Sequence, residues 1–265
     1  MICAYCKQEA PATREHVIPA FIYRFQKQLE ANVIGWNEVA KKMVGGEHQV
    51  KDVCGACNSG VLSSLDAYGK SFLTSNGFLT QNYSKLYAEL TFDYDQLARW
   101  LLKISFNSTR TDRGHSHLFE RFIPFILNGA PAPSKADFAI VSTLAAPLTI
   151  KQLKGDYEAL QNLADQDGRV NPFFMRIAYG PDTYNTFTLR VVMFGPLTFF
   201  LLMYLPGVPA GSIANETKRL LKDMAGLTLL QPGSTKAFLT AGPASWMDYY
   251  AAQIMRVKNL GAYHP

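Results

Sequence analysis

The sequence predicts an α+β protein in two parts, a small N-terminal module over residues 1–75 and a mixed α+β domain over residues 76–265. All four cysteines lie in the first quarter of the chain. Apolar residues recur at helical spacing in the stretch 93–109, whereas residues 186–205 form two apolar runs joined by Gly195-Pro196. A chain of 265 residues that is 48% hydrophobic can bury one large core or two modest ones.

The elements of the second part follow from periodicity and from capping residues. The first helix, Asp93–Thr109, has an apolar face and takes Asp93 or Asp95 as its N-cap. In chain order, the further predictions are a helix over Phe119–Leu127, strands over Phe138–Thr143 and Phe173–Tyr179, two strands over Thr186–Leu205, a helix over Ser212–Ala225 with Ser212 as N-cap, and a last helix over Ala244–Lys258.

The most apolar stretch, Val191–Leu205, is too short to span a bilayer and is broken by Gly195-Pro196. It therefore predicts a buried β-hairpin. The N-terminal residues show no pattern of a secretory signal. We expect a cytoplasmic protein that has no membrane partner.

The four cysteines form two pairs of CxxC spacing, Cys3 with Cys6 and Cys54 with Cys57. Two such pairs in a chain with no other cysteine favour a tetrahedral zinc site over a redox pair or a disulfide framework. Four thiolates fill the coordination of Zn²⁺, so we expect this zinc to be structural. It would tie the chain near residue 5 to the chain near residue 55.

A second pattern lies inside this cysteine frame. Glu15 and His16 are adjacent, and Asn58 directly follows the second cysteine pair. A neutral histidine can take a proton from water near neutral pH. Carboxylate and amide oxygens are ligands suited to Mg²⁺ or Mn²⁺. These are the groups that hydrolysis of a phosphodiester requires.

The order CxxC, Glu-His, CxxC-Asn resembles the HNH (ββα-metal) nuclease family in its zinc-bound treble-clef form, and in particular the nucleases of the phage endonuclease VII type. The resemblance covers about residues 1–70. It implies that His16 is the general base and that Glu15 and Asn58 bind the catalytic Mg²⁺ or Mn²⁺. It also implies that a helix begins near Cys57-Asn58-Ser59.

Several points stay open within this motif. Adjacent residues on a strand point to opposite faces, so Glu15 and His16 need an irregular strand to serve one site. The segment Glu47-His48-Gln49-Val50 lacks the Asn that orients the base in many HNH proteins. His48, Gln49 or a backbone carbonyl can take that role. Asn58 can also cap the helix, and Asp66 is a further candidate for the metal site.

The charge distribution suggests where a polyanion would bind. The net charge is +5, but residues 1–75 carry 8 Lys+Arg against 7 Asp+Glu. The excess therefore lies in the second part, and its densest cluster is Arg99, Lys103, Arg110, Arg113 and Arg121. We expect Arg99, Lys103, Arg110 and Arg113 to contact DNA phosphates, with a solvated helix face as the alternative.

The predicted function is that of a metal-dependent HNH endonuclease that hydrolyses DNA phosphodiester bonds, in a phage or bacterial defence or mobile-element context. The alternative is a catalytically inactive zinc-binding module that binds nucleic acid or protein. The pair Glu15-His16 favours the enzyme.

Overall fold

The computed structural model describes residues 1–29, 34–37, 42–112, 116–180 and 184–249, and these form two compact units. Unit 1 comprises Met1–Phe72 and Asp93–Pro133, and unit 2 comprises Leu73–Phe92 and the described part of Ser134–Arg256. The first division lies close to the predicted boundary at residue 75. The structure differs from the prediction in returning residues 93–133 to unit 1, because the helix there supplies partners to the N-terminal segment.

Unit 1 joins two antiparallel strand pairs to helices. Strand β1 pairs with β4, and β2 pairs with β3. The elements of unit 1 are β1 (Ala12–His16), α1 (Ala20–Gln28), β2 (Ile34–Asn37), β3 (Lys42–Gly45), β4 (Gln49–Cys54), α2 (Gly55–Cys57), a π-helical segment (Asn58–Leu62), α3 (Ser63–Ser75, of which residues 73–75 fall in unit 2), α4 (Tyr94–Asp112), α5 (His117–Glu120) and α6 (Ile123–Asn128).

Helix α4 confirms the first helix prediction. Asp93 is its N-cap, because Asp93 Oδ1 accepts the backbone N–H of Gln96 at 3.0 Å. The predicted apolar face is buried, and the ring of Trp100 stacks at 6.4 Å on that of Phe21 from α1. The core of unit 1 therefore forms where α1 and α4 meet.

The helix predicted over Phe119–Leu127 is instead two short helices, α5 and α6. Pro124 lies in the first turn of α6, where a residue without an N–H is tolerated. Gly129 ends α6 in the left-handed conformation with a φ of 72°. Pro124 therefore lies in the first turn of α6 and not in the middle of one longer helix.

Unit 2 is built on a 7-stranded sheet of order β5-β13-β6-β11-β10-β9, with β12 also paired to β6. Strands β13 and β6 are parallel, and the other pairs in this sheet are antiparallel. The elements are β5 (Tyr87–Thr91), β6 (Phe138–Ala146), β7 (Leu148–Thr149), 3₁₀ helices (Ile150–Gln152 and Gly155–Leu163), β8 (Arg169–Val170), β9 (Met175–Tyr179), β10 (Phe187–Phe194), β11 (Leu197–Tyr204), α7 (Ala210–Asp223), β12 (Thr228–Leu230) and β13 (Lys236–Ser245).

The hairpin β10–β11 confirms the prediction made for the most apolar stretch. Residues of both strands are buried along their length, which explains why the sequence shows continuous apolar runs and no alternation. Gly195 has a φ of 57° and precedes Pro196, as in a type II′ turn. In the parts of the chain that the structure describes, no helix is long and apolar enough to cross a bilayer.

Two predictions near the C-terminus differ from the structure. Helix α7 begins at Ala210 after Pro209, so Ser212 lies inside the helix and the prediction of Ser212 as N-cap is wrong. Residues 244 and 245 end β13, residues 246–249 are helical, and the rest of the predicted last helix lies outside the described residues.

The contact between α3 and α4 generates a stability prediction. A Cβ at Gly69 would lie 2.1 Å from Trp100 Cε2. We expect Gly69→Ala to lower the free energy of unfolding, because overpacking costs about 1–3 kcal/mol and outweighs the gain in helix propensity of about 1 kcal/mol. Urea denaturation measures this, with Gly211→Ala as the control because no atom lies within 4 Å of its Cβ. A Gly69→Ala variant as stable as the wild type would contradict the close packing.

Candidate functional site

The four cysteines converge in unit 1 from two turns of the chain. Cys3 and Cys6 lie in the loop before β1, Cys54 ends β4, and Cys57 ends α2. Their four Sγ atoms all lie within 4.8 Å of one another. The backbone N–H of Ala4 donates to the carbonyl of Asp52 at 2.8 Å, which holds the first turn against β4.

The geometry of the thiols fits a tetrahedral metal ion. Zinc–sulfur bonds of about 2.3 Å imply sulfur–sulfur distances of about 3.8 Å, and Cys6 Sγ lies 3.7 Å from Cys54 Sγ. The backbone N–H groups of Cys54 and Cys57 donate to Cys3 Sγ at 3.4 Å and to Cys54 Sγ at 3.5 Å. Such bonds favour thiolates. The cluster is therefore a candidate zinc site.

The pKa values of the cysteines reflect the same surroundings. Burial raises the pKa of Cys3, but backbone N–H donors from Cys54, Cys6 and Tyr5 outweigh it and bring the pKa to about 6. Burial and the neighbouring sulfur atoms raise the pKa of Cys57. A divalent cation among these sulfur atoms would stabilise all four as thiolates.

Strand β1 is irregular where the motif requires it. Its pairing with β4 shifts between Thr13 and Glu15, because Thr13 lies opposite Val53 whereas Glu15 lies opposite Val50. The two adjacent side chains of the motif, Glu15 and His16, nevertheless have different partners. Glu15 is 4% exposed and contacts residues of α4, whereas the His16 side chain is 24% exposed and contacts the start of β4 and the residues before it.

Glu15 belongs to a buried polar cluster. Its Oε1 lies 2.6 Å from Lys103 Nζ and accepts a hydrogen bond from Asn107 Nδ2 at 2.9 Å. Lys103 Nζ also lies 2.8 Å from Asp66 Oδ2, and Trp100 Nε1 donates to Asp66 Oδ1 at 3.2 Å. Burial lowers the pKa of Lys103, but the carboxylates of Asp66 and Glu15 outweigh it and raise the pKa.

This cluster bears on the expected catalytic metal ion. The ammonium of Lys103 already lies against Glu15 and Asp66, the two carboxylates that the motif offers. A divalent cation cannot share that position with an ammonium. Elsewhere in the described residues, no three His, Cys, Asp or Glu side chains gather as the cysteines do. Glu15 in this arrangement does not fit a ligand of Mg²⁺ or Mn²⁺.

Asn58 holds strand β1 through its amide group. Asn58 Nδ2 donates to Thr13 Oγ1 and to the carbonyl of Arg14, both at 2.9 Å. The alternative of a helix N-cap is wrong, because Cys54 precedes α2 and its sulfur accepts the N–H of Cys57. Through these two hydrogen bonds Asn58 joins the second cysteine pair to the strand that carries Glu15 and His16.

His16 lies at a partly exposed position and contacts a carboxylate. Its Nε2 lies 2.7 Å from Glu47 Oε2 and 3.0 Å from Gln49 Nε2. Glu47 Oε1 also accepts a hydrogen bond from Lys27 Nζ at 3.2 Å. The hydrogen bond from His16 and then that from Lys27 lower the pKa of Glu47. The sequence predicted Gln49 as one possible partner of His16. It did not predict Glu47, which lies two residues before Gln49 in the chain.

The described basic residues of α4 make contacts within unit 1. Lys103 is fully buried, which corrects the expectation that it contacts phosphate. Arg99 donates to the carbonyls of Ile126 and Leu127 at the end of α6.

Arg110 is likewise placed inside unit 1. It lies 2.9 Å from Asp52 Oδ2 with its side chain 9% exposed, and its guanidinium packs over the ring of Phe106. These placements argue against phosphate contacts by Arg99 and Arg110 as well. Arg113 lies outside the described residues.

The chain matches no family model, no curated protein and no solved structure. The resemblance to HNH nucleases therefore rests on the residues of the motif, and the treble-clef topology remains a prediction.

The thiol geometry predicts one zinc ion per chain in protein purified without added metal. We expect Cys54→Ser to lose the zinc and to unfold unit 1, because a four-cysteine site supplies about 10–16 kcal/mol, which is comparable with or larger than the stability of a typical domain. Elemental analysis and circular dichroism measure the two effects. Ser64→Ala, on the exposed side of α3, is the control. Folded wild type with less than half a zinc per chain would contradict the site.

Proposed function

We propose that unit 1 is a nuclease module of HNH type that hydrolyses phosphodiester bonds, with His16 as the general base. The observation that carries this proposal is the contact of 2.7 Å between His16 Nε2 and Glu47 Oε2 at a partly exposed position. A carboxylate that accepts the N–H of one ring nitrogen fixes the tautomer and leaves the other nitrogen as the base. Phosphodiester hydrolysis requires such a base for the attacking water.

The chemistry of the step follows from this arrangement. With the proton of neutral His16 on Nε2, this N–H donates to Glu47 and the amide of Gln49 turns its oxygen toward Nε2. The lone pair of Nδ1 then takes a proton from water. The resulting hydroxide attacks phosphorus, the bond to one ester oxygen breaks, and that oxygen leaves as an alkoxide that takes a proton from water. The His16 imidazolium then returns its proton to solvent. The Glu47 carboxylate stabilises the imidazolium that forms. The hydrogen bond from Lys27 keeps Glu47 in place.

Zinc supplies no step of this reaction. When bound by Cys3, Cys6, Cys54 and Cys57 it would hold the loop before β1 against the end of β4. His16 is on β1 and Gln49 is on β4. A zinc ion at the cysteines would therefore hold together the two strands that carry His16 and its partner Gln49. The residues around Glu15 do not fit Mg²⁺ or Mn²⁺, and no step is assigned to either ion.

DNA remains the proposed substrate, but different cations would bind it. Arg14 is exposed on β1 next to the motif, and Lys27 is 63% exposed at the end of α1. Lys27 lies 3.2 Å from Glu47 and hence beside the proposed base. These two cations would neutralise phosphates at the place where cleavage occurs.

A second candidate function is a module that binds nucleic acid or protein and does not cut. The ion pair between Glu15 and Lys103 favours it, because the acidic residue of the motif is buried and already neutralised. Nicking of a supercoiled plasmid by the zinc-loaded full chain separates the two candidates. Cleavage supports the nuclease, and binding without cleavage supports the second function.

We expect His16→Ala to lower the nicking rate at least about 10²-fold, which is the lower range of general acid–base catalysis. Glu47→Gln should cause a smaller loss, since it keeps a hydrogen-bond acceptor but removes the charge. Neither variant should lose zinc, and both should melt near the wild-type temperature because His16 and Glu47 are outside the core. His117→Ala, an exposed histidine on α5, is the control. A His16→Ala variant that cuts like the wild type would make this mechanism wrong.

Phosphate binding gives a separate expectation. Arg14→Ala and Lys27→Ala should each weaken binding to all DNA sequences and reduce the slope of log affinity against log salt by about 0.9. Lys154→Ala, at an exposed position in unit 2, should leave the slope unchanged. Fluorescence anisotropy over a salt series measures the slopes. Equal slopes for the wild type and both variants would show that these cations do not contact phosphate.

A further inference from the structure

Lys103 is a fully buried lysine whose ammonium lies between two carboxylates from separate elements. Glu15 comes from β1, Asp66 from α3, and Lys103 from α4. The distances from Nζ are 2.6 Å to Glu15 Oε1 and 2.8 Å to Asp66 Oδ2. Two carboxylates so close together, one buried and one partly exposed, favour a cation between them.

The sequence of α4 places the lysine there by helical spacing. Trp100, Lys103, Asn107 and Arg110 follow one another at three or four residues, so they lie on one face of the helix. Trp100 donates to Asp66 Oδ1, and Asn107 donates to Glu15 Oε1. The same helix face thus supplies a positive charge and hydrogen-bond donors to both carboxylates.

We propose that Lys103 is the built-in cation of this site and takes the place of a divalent metal ion between Glu15 and Asp66. The ammonium supplies positive charge and donors to the two carboxylates without metal. Divalent ions are excluded from this position as long as the lysine is there. A chain that lost the lysine side chain would present the buried carboxylate of Glu15 and the partly exposed carboxylate of Asp66, with space for Mn²⁺ between them.

The consequence for catalysis rests on the proposed nuclease function. If His16 and Glu47 carry the reaction, cleavage does not depend on a divalent ion at Glu15. The binding of cations between Glu15 and Asp66 does not depend on any activity, so it is tested by measuring Mn²⁺ uptake.

The first experiment measures Mn²⁺ uptake by the zinc-loaded full chain from the electron paramagnetic resonance signal of unbound Mn²⁺. Wild type should take up no Mn²⁺ that depends on Glu15. Lys103→Ala should take up one Mn²⁺ per chain, and its melting temperature should rise when Mn²⁺ is added. Lys103→Ala combined with Glu15→Gln is the matched control and should lose this uptake.

Two results would overturn the proposal. The first is a wild-type chain that binds one Mn²⁺ and loses it in Glu15→Gln. The second is a folded Lys103→Ala chain that binds none. If Lys103→Ala folds only with Mn²⁺, the proposal is supported. A Lys103→Ala chain that folds neither without nor with Mn²⁺ counts with the second result, because Mn²⁺ then does not replace the ammonium between Glu15 and Asp66.

The activity arm separates this inference from the proposed function. Plasmid nicking by zinc-loaded wild type is compared in buffer passed over a chelating resin, with and without added Mg²⁺. Equal nicking rates with and without Mg²⁺ support cleavage that needs no divalent ion at Glu15. Strict dependence of nicking on Mg²⁺ overturns this expectation about cleavage. Absence of nicking under both conditions overturns the nuclease function and leaves the Mn²⁺ binding result to judge Lys103.

Discussion

The buried ammonium of Lys103 is the interaction on which the arrangement of unit 1 depends. It joins β1, α3 and α4 through Glu15 and Asp66. Lys103 and Glu15 leave water on folding, whereas the Asp66 side chain stays partly exposed. Removing one partner of such a buried pair costs about 3–5 kcal/mol, because an unpaired charge remains inside. The partners are therefore satisfied together, and the strand that carries His16 is held by a helix from a later part of the chain.

The cysteine cluster is connected to the same buried network. Tyr5 lies between Cys3 and Cys6, and its hydroxyl donates to Asn107 Oδ1 at 2.6 Å. Asn107 Nδ2 in turn donates to Glu15 Oε1 and to the carbonyl of His16, both at 2.9 Å. Burial raises the pKa of Tyr5 to about 12, so its hydroxyl stays a donor near neutral pH. Tyr5 and Asn107 thereby link the candidate zinc site to His16.

Features with a local cause could be predicted from the sequence. The spacing of apolar residues predicted α4, and the apolar runs around Gly195 predicted the hairpin β10–β11. For the N-cap of α4 the sequence offered Asp93 or Asp95, and the structure shows Asp93. A strand as short as β12 carries too little pattern to be recognised. Strand β5 alternates between exposed and buried residues, but only over five positions and with the aromatic Tyr87 on its exposed face. The start of α7 was misplaced because Pro209 and Ser212 are both acceptable at a helix start.

The candidate site divides in the same way. The sequence by itself determined that four thiols are available in two pairs, that an acid and a histidine lie between these pairs, and that an amide directly follows the second pair. Only the tertiary structure decided that Glu15 pairs with Lys103 and that His16 pairs with Glu47. Glu15 and Asn107 are 92 positions apart, and Asn107 is one helical turn from Lys103, so no local pattern shows that the acid of the motif faces a lysine. A carboxylate at the surface can bind a metal ion, whereas one buried beside an ammonium is already neutralised, and burial is a property of the folded chain alone.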